Sequence, residues 1–171
     1  MTNRCMIDIE TLGRSEGAAI VELGACCFDA GGVGKTFDES ICLVSCQDHG
    51  LEIDAETLEW WLSQDSEARE CLVGGRPLEA VLSEFNQWYD ADEVWARSPV
   101  FDCNILTAAY HAVGMSTPWE FWETRDQRTL TNLHEEIDTD RDGIEHRAVD
   151  DAVYQATVAA GILTEMEAGD E

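Results

Sequence analysis

The run MIDIETLG, residues 6–13, constrains the fold most, because it reads as a core strand that carries two acids, Asp8 and Glu10. A buried carboxylate is costly unless it is paired or bound to a metal. Residues two apart on a strand project from the same face. Asp8 and Glu10 therefore stand side by side on one face of a sheet. Either that face meets solvent, or a cation sits between the two. Hard divalent ions suit the second case, since Mg²⁺ is held by one or two carboxylates together with substrate phosphates.

Around this strand the chain reads as mixed α/β. Residues 4–8 and 18–28 are apolar and β-branched, DAGGVGK (29–35) is a glycine-rich turn, and TFDESICLV (36–44) reads as a return strand. GVGKT is not a phosphate loop, because that motif needs glycine where Asp29 stands. Helices are expected over 54–73 and 77–89, followed by a short strand over 93–97. Three more helices are expected over 101–114, 128–137 and 146–163. Three antiparallel strands followed by helices with one interposed strand predict a mixed sheet covered by helices. The 171 residues suit one domain, 1–171, with neither repeat nor linker.

The composition is 44% hydrophobic with three prolines, which excludes a disordered chain. No apolar run is long enough to span a membrane, and Asp8 and Glu10 interrupt any N-terminal signal segment, so a cytoplasmic protein with no membrane partner is expected. Seven scattered cysteines suit reduced core residues. Cys42, Cys46 and His49 lack the second CxxC pair of a zinc site. DTDRDG (138–143) copies half of a calcium loop, but Val149 stands where the bidentate Glu is required.

Charge is the most unusual bulk property. Thirty-six acids against ten Lys and Arg give a formal net charge of −26. Self-repulsion of that size opposes compaction, and about 1 M salt, with a Debye length of roughly 3 Å, screens it. A salt-adapted cytoplasm, or a host cytoplasm if the protein is viral, fits this charge. An acidic module that sequesters basic partners fits it too.

Further acids accompany the first pair. Asp102 opens a helix straight after the 93–97 strand, where it can also serve as a first-turn acid on the helix dipole. Asp150 and Asp151 follow His146 at four and five residues. On a helix running through all three, Asp150 shares a face with His146 and Asp151 does not.

MIDIETLG, FDCNIL and HRAVDDA, in that order, resemble the three motifs of the DEDDh 3′–5′ exonucleases, in a phage-type or oligoribonuclease-like form. The resemblance spans residues 6 to about 156, and WARSPVFD departs from it at Arg97 and Ser98. It implies a ribonuclease H-like fold and release of nucleoside 5′-monophosphates from 3′ ends of single strands or overhangs. It also implies two divalent ions, Mg²⁺ or Mn²⁺, on Asp8, Glu10, Asp102 and Asp151, with His146 as general base. The ligand falls on Asp151 if His146 precedes the helix. Two ions about 4 Å apart stabilise both the attacking and the leaving oxygen of a displacement at phosphorus. Imidazole, with a reference pKa near 6.5, suits proton removal near neutrality.

For substrate binding, the resemblance implies that the backbone at Thr11 and Leu12 grips the terminal nucleotide. Trp60 or Trp61, with Trp61 favoured, is a base-stacking platform or a core residue. Arg125 and Arg128 contact phosphate or pair with acids. The partner is a nucleic-acid 3′ end, DNA or RNA, and relatives of this kind are often homodimers. A catalytically silent acidic binding module of the same fold is the alternative.

Overall fold

The computed structural model describes residues 2–134 and 141–169. Five strands form one sheet: β1 (Arg4–Thr11), β2 (Ile20–Asp29), β3 (Gly32–Ser40), β4 (Glu93–Ala96) and β5 (Thr124–Asp126). Their order is β3-β2-β1-β4-β5, with β1 in the centre. β1 is antiparallel to β2, and β2 to β3, whereas β4 and β5 add in parallel. Parallel additions need crossovers. Among the described residues six α-helices supply and flank them: α1 (Leu43–Asp48), α2 (Ala55–Leu62), α3 (Leu78–Trp88), α4 (Asp102–Ala112), α5 (Gln127–Leu133) and α6 (Ala148–Gly169). This is the mixed, helix-covered sheet expected from the sequence. Among the described residues no helix is long and apolar enough to cross a membrane.

Alternation along β1 sorts its residues between two layers. Cys5, Ile7 and Ile9 join the larger core with Leu82 and Phe85 of α3 and Leu106 and Tyr110 of α4. Met6 faces the other way, packing with Cys26, Phe28 and Trp95 against Ala152, Ala156, Ala159 and Ala160 of α6. These alanines recur at helical spacing, and their small side chains let α6 lie close on the sheet. Asp8 and Glu10 share the Met6 face, so α6 is the helix that covers them.

β5 is not among the expected strands, and the expected 29–35 turn shortens, since β3 already begins at Gly32. Three further boundaries shift. The 54–73 helix divides into α2 and a 3₁₀ segment, Ala68–Leu72. The Ser63 hydroxyl and the Gln64 amide both donate to the Trp60 carbonyl, which satisfies the end of α2 and stops it. The 36–44 strand ends at Ser40, and Leu43 opens α1 instead. There the backbone of Gly75, at φ 80°, crosses so tightly that a Cβ would stand 2.6 Å from the Ile41 carbonyl carbon. The last helix begins at Ala148, leaving His146 ahead of it. The end of the expected 128–137 helix (135–137) and the start of DTDRDG (138–140) lie outside the described residues.

Candidate active site

The site is built where α6 first touches the sheet. Asp8 pairs across β1 and β2 with Gly24, and Glu10 pairs with Glu22. A Cβ on Gly24 would lie 2.1 Å from the Ala148 carbonyl carbon and the Val149 nitrogen, so only glycine admits the helix here. Glu22, fully buried, holds the start of that helix. Its carboxylate accepts the Ala148 N–H at 2.8 Å and Arg147 Nε at 2.9 Å. With residues 147 and 148 fixed, His146 is left at φ 64°, the left-handed backbone that only this non-glycine residue adopts among those described.

This arrangement brings one ligand atom each of Glu10, His146 and Asp151 within 4.8 Å of one another. His146 Nδ1 stands 4.0 Å from Glu10 Oε1. Asp8, Glu10, Asp102, His146 and Asp151 all line one cavity of about 460 Å³. Asp8 Oδ1 accepts the Gln155 amide at 2.7 Å, one turn beyond Asp151 on α6. Asp102, at the first residue of α4, is 5% exposed. Asp150 turns away and accepts the Ile144 N–H at 2.8 Å. Because His146 precedes the helix, Asp151 stands with it and Glu10 while Asp150 does not.

Burial raises the pKa values of these carboxylates. Burial, then the charges of Asp102 and Glu10, hold Asp8 well above the carboxylate range. Burial, then Asp151, Glu22 and Asp102, push Glu10 up to about 8. Burial lifts Asp102 to about 7 against the opposing Ile9 and Ser98 N–H groups and the Arg128 guanidinium. Asp151 is raised by burial and opposed by Arg141, with which it forms an ion pair. These shielded acids present a set of hard oxygens of the kind a divalent cation suits.

Beside the acids lies a second cavity of about 460 Å³, largely apolar, reached past Glu10 and Phe101 and walled by Thr11, Trp60 and Trp61. Trp61 is 1% exposed and donates its Nε1–H to the Thr11 carbonyl at 2.9 Å. It braces the backbone and offers little face for stacking. Trp60 is the exposed ring at 43%, set edge-on to His146 with centroids 5.0 Å apart. Leu12 is buried, its N–H bonded to the Ala19 carbonyl and its own carbonyl to the Asp54 N–H, so both backbone polar groups are engaged within the fold. Arg125 is paired with Glu93, whereas Arg128 lines the acid cavity. Cys46 donates to the Ile20 carbonyl, and Cys42, Cys46 and His49 do not converge.

Sequence reasoning missed Glu22, Arg147 and Gln155. Glu22 carried a usable signal, an acid inside an apolar strand, the same signal that marked Asp8 and Glu10. Arg147 and Gln155 carried none before the docking of α6 was known.

Acids on β1, at the first residue of α4 and on a final helix laid over a mixed sheet converge on one cavity, and several solved nucleases share this fold. The chain matches the fold of cell-death related nuclease 4 (CRN-4) with a TM-score of 0.67 and 12% identity over 99% of its length. It matches the nuclease domain of 3′hExo, a DEDDh family member bound to rAMP, with a TM-score of 0.64 and 15% identity, covering 96% of this chain and 92% of that one. A third match, at TM-score 0.61 and 14% identity over 97% of this chain, is E. coli exonuclease I in complex with an oligonucleotide. This chain spans 64% of the CRN-4 chain and 41% of exonuclease I. In sequence it is 30% identical to the exodeoxyribonuclease of Enterobacteria phage T4, covering 72% of this chain and 68% of that protein. The chain belongs to the Rv2179c-like 3′-5′ exoribonuclease domain family, whose model matches residues 3–163.

Proposed function

We propose that this protein removes nucleoside 5′-monophosphates one at a time from the 3′ end of single-stranded nucleic acid or 3′ overhangs, using two divalent ions. The observation that carries this reading is the convergence of four carboxylates and His146 on one cavity beside an aromatic-walled one. Asp8, Glu10, Asp102 and Asp151 hold the ions, Mg²⁺ or Mn²⁺. When bound, the ions offset the charge of the phosphodiester and acidify water.

His146 accepts the proton of the attacking water, and its constrained backbone and the Trp60 edge limit where the ring can point. Thr11, braced by Trp61, positions the terminal nucleotide, and Trp60 provides the face on which a base stacks. Arg128 offsets negative charge near the scissile linkage.

The test uses 5′-labelled single-stranded DNA and RNA of matched sequence, with Mn²⁺ or a chelator, in molar potassium chloride. The expected result is a ladder shortening by single nucleotides from the 3′ end, abolished by the chelator. The family description names RNA and the phage relative DNA, so the two sugars are run side by side. Internal cuts, or binding without cleavage under all metal conditions, would refute the exonuclease reading, and the latter outcome would favour an acidic binding module.

A further inference from the structure

Cations are scarce in this chain, nine arginines and one lysine against 36 acids, so the place of each is informative. Most are spent on carboxylates. Arg4 and Arg125 meet Glu93, Arg14 meets Glu56, and Arg76 meets Glu39 and Glu84. Arg141 meets Asp151, and Arg147 meets Glu22 and Asp38. Lys35 donates to the Trp88 carbonyl and sits 4.8 Å from that ring's centroid. Among the described residues Arg69, Arg97 and Arg128 make no such ion pair; Arg69 is half-buried, whereas Arg97 and Arg128 are exposed, although acids surround them in the sequence.

These two arginines stand together. Both line a third cavity, of about 520 Å³, between α5 and α6, with Gln127, Asn132, Tyr154 and Gln155 also in its wall. Among the described residues no Asp or Glu lines it. Arg97, Arg128, Tyr154 and Gln155 also line the acid cavity, so the two cavities adjoin. Gln155 is 4% exposed, and while its amide N–H holds Asp8, its carbonyl oxygen has no partner. The open acceptor suits a water or a sugar hydroxyl, and the two unpaired guanidinium groups beside it suit an anion. Guanidinium forks match phosphate oxygens in geometry and charge.

We infer that the Arg97–Arg128 cavity seats the backbone phosphate one linkage upstream of the scissile one. A strand then leaves the site over α5 and α6. This rests on the exonuclease reading for the location of the scissile linkage. It adds which side of the site the 5′ portion of the strand takes, and that its recognition is electrostatic. In a chain of net charge −26, a cavity whose described wall carries two arginines and no carboxylate is where a polyanion can approach.

The experiment uses fluorescent single-stranded 12-mers with one neutral methylphosphonate, placed at either the second or the sixth linkage from the 3′ end. Binding is measured by anisotropy with Ca²⁺ present, and removal of the first nucleotide is measured separately with Mn²⁺. Wild type should bind the second-linkage probe about tenfold more weakly than the sixth-linkage probe, as expected for one lost charge-assisted contact. Arg97→Gln with Arg128→Gln should erase that difference and lower the salt slope of binding by about 0.7 for the phosphate no longer neutralised. The Lys double variant should recover part of it, and Arg76→Gln, which removes a cation elsewhere, should keep it in full. Equal binding of the two probes by wild type, or discrimination that survives the double Gln substitution, overturns the inference. Discrimination in binding without cleavage would instead overturn the exonuclease reading and leave this site standing.

Discussion

Glu22 and Arg147 form an ion pair at 2.9 Å although the Glu22 carboxylate is wholly shielded from solvent, and this pair fixes where α6 begins. Removing one partner of such a pair leaves an uncompensated charge, at a cost of about 3–5 kcal/mol when both are buried. Arg147 is partly exposed, and Glu22, already raised by its burial, can take up a proton, so the lower end applies. Arg147→Met should therefore destabilise the protein by about 3 kcal/mol and Glu22→Gln by less, since the amide still accepts the Ala148 N–H. Both should lower kcat, because His146 is the next residue. Urea titrations alongside turnover at saturating metal check this. A fully stable Arg147→Met protein would mean that the alanine stripe alone docks the helix.

The sequence made some parts of this site plain and hid others for physical reasons. Strand runs, the acids interrupting them and the order of the three motifs were legible because each is local. Whether Trp60 or Trp61 meets solvent was not, since neighbours on a helix point about 100° apart and only the docking of α2 selects one. The 54–73 helix read as continuous because its apolar period persists past Leu62, whereas Ser63 and Gln64 end it through side-chain bonds that periodicity does not register. The left-handed backbone at His146 is imposed from β2, 124 residues earlier at Glu22, by the hold on residues 147 and 148.

Without divalent ions the folded protein should lose stability as pH rises. Glu10 titrates at about 8 in place of 4.5, Asp102 at about 7 in place of 3.8, and Asp8 is raised as well. Between those limits the native state holds protons that the unfolded chain has released. The unfolding free energy therefore falls from near pH 4 up to about pH 8. Thermal melts in a chelator at molar salt should show this decline, and Glu10→Gln should flatten it. Mn²⁺ should raise the midpoint more at pH 8 than at pH 5.5, because the ligands must be deprotonated to bind. A pH-independent midpoint in the chelator would show that the acids do not destabilise one another.

Added potassium chloride should stabilise the fold. At net charge −26, long-range repulsion outweighs the few exposed pairs such as Arg14–Glu56, whose contribution salt would weaken. Scanning the melting midpoint from about 0.01 M to about 1 M salt spans Debye lengths from roughly 30 to 3 Å. A midpoint that stays level or drops across that range would remove the case for salt adaptation.

Adjacent acids on the first turn of α6 should behave oppositely. Asp151 stands with Glu10 and His146 at the acid cavity, so Asp151→Asn should lower turnover by several orders of magnitude and weaken Mn²⁺ binding, an amide being a poor ligand for a hard cation. Asp150 instead accepts the Ile144 N–H, and its carboxyl lies 2.6 Å from where a Cβ on Gly143 would stand. Asp150→Asn keeps an acceptor oxygen and should change kcat less than about threefold, a loss of well under 1 kcal/mol. Asp150→Ala should cost about 1 kcal/mol of stability through the orphaned N–H, and some rate through a looser His146 loop. His146→Ala should lower kcat by about 10²–10⁴-fold while Mn²⁺ still binds, which separates a proton acceptor from a ligand. Isothermal titration with Mn²⁺ and single-turnover rates on the four variants decide these roles together. An inactive Asp150→Asn beside an active Asp151→Asn would move the ligand to the other acid. Lost Mn²⁺ binding in His146→Ala would make the imidazole a ligand.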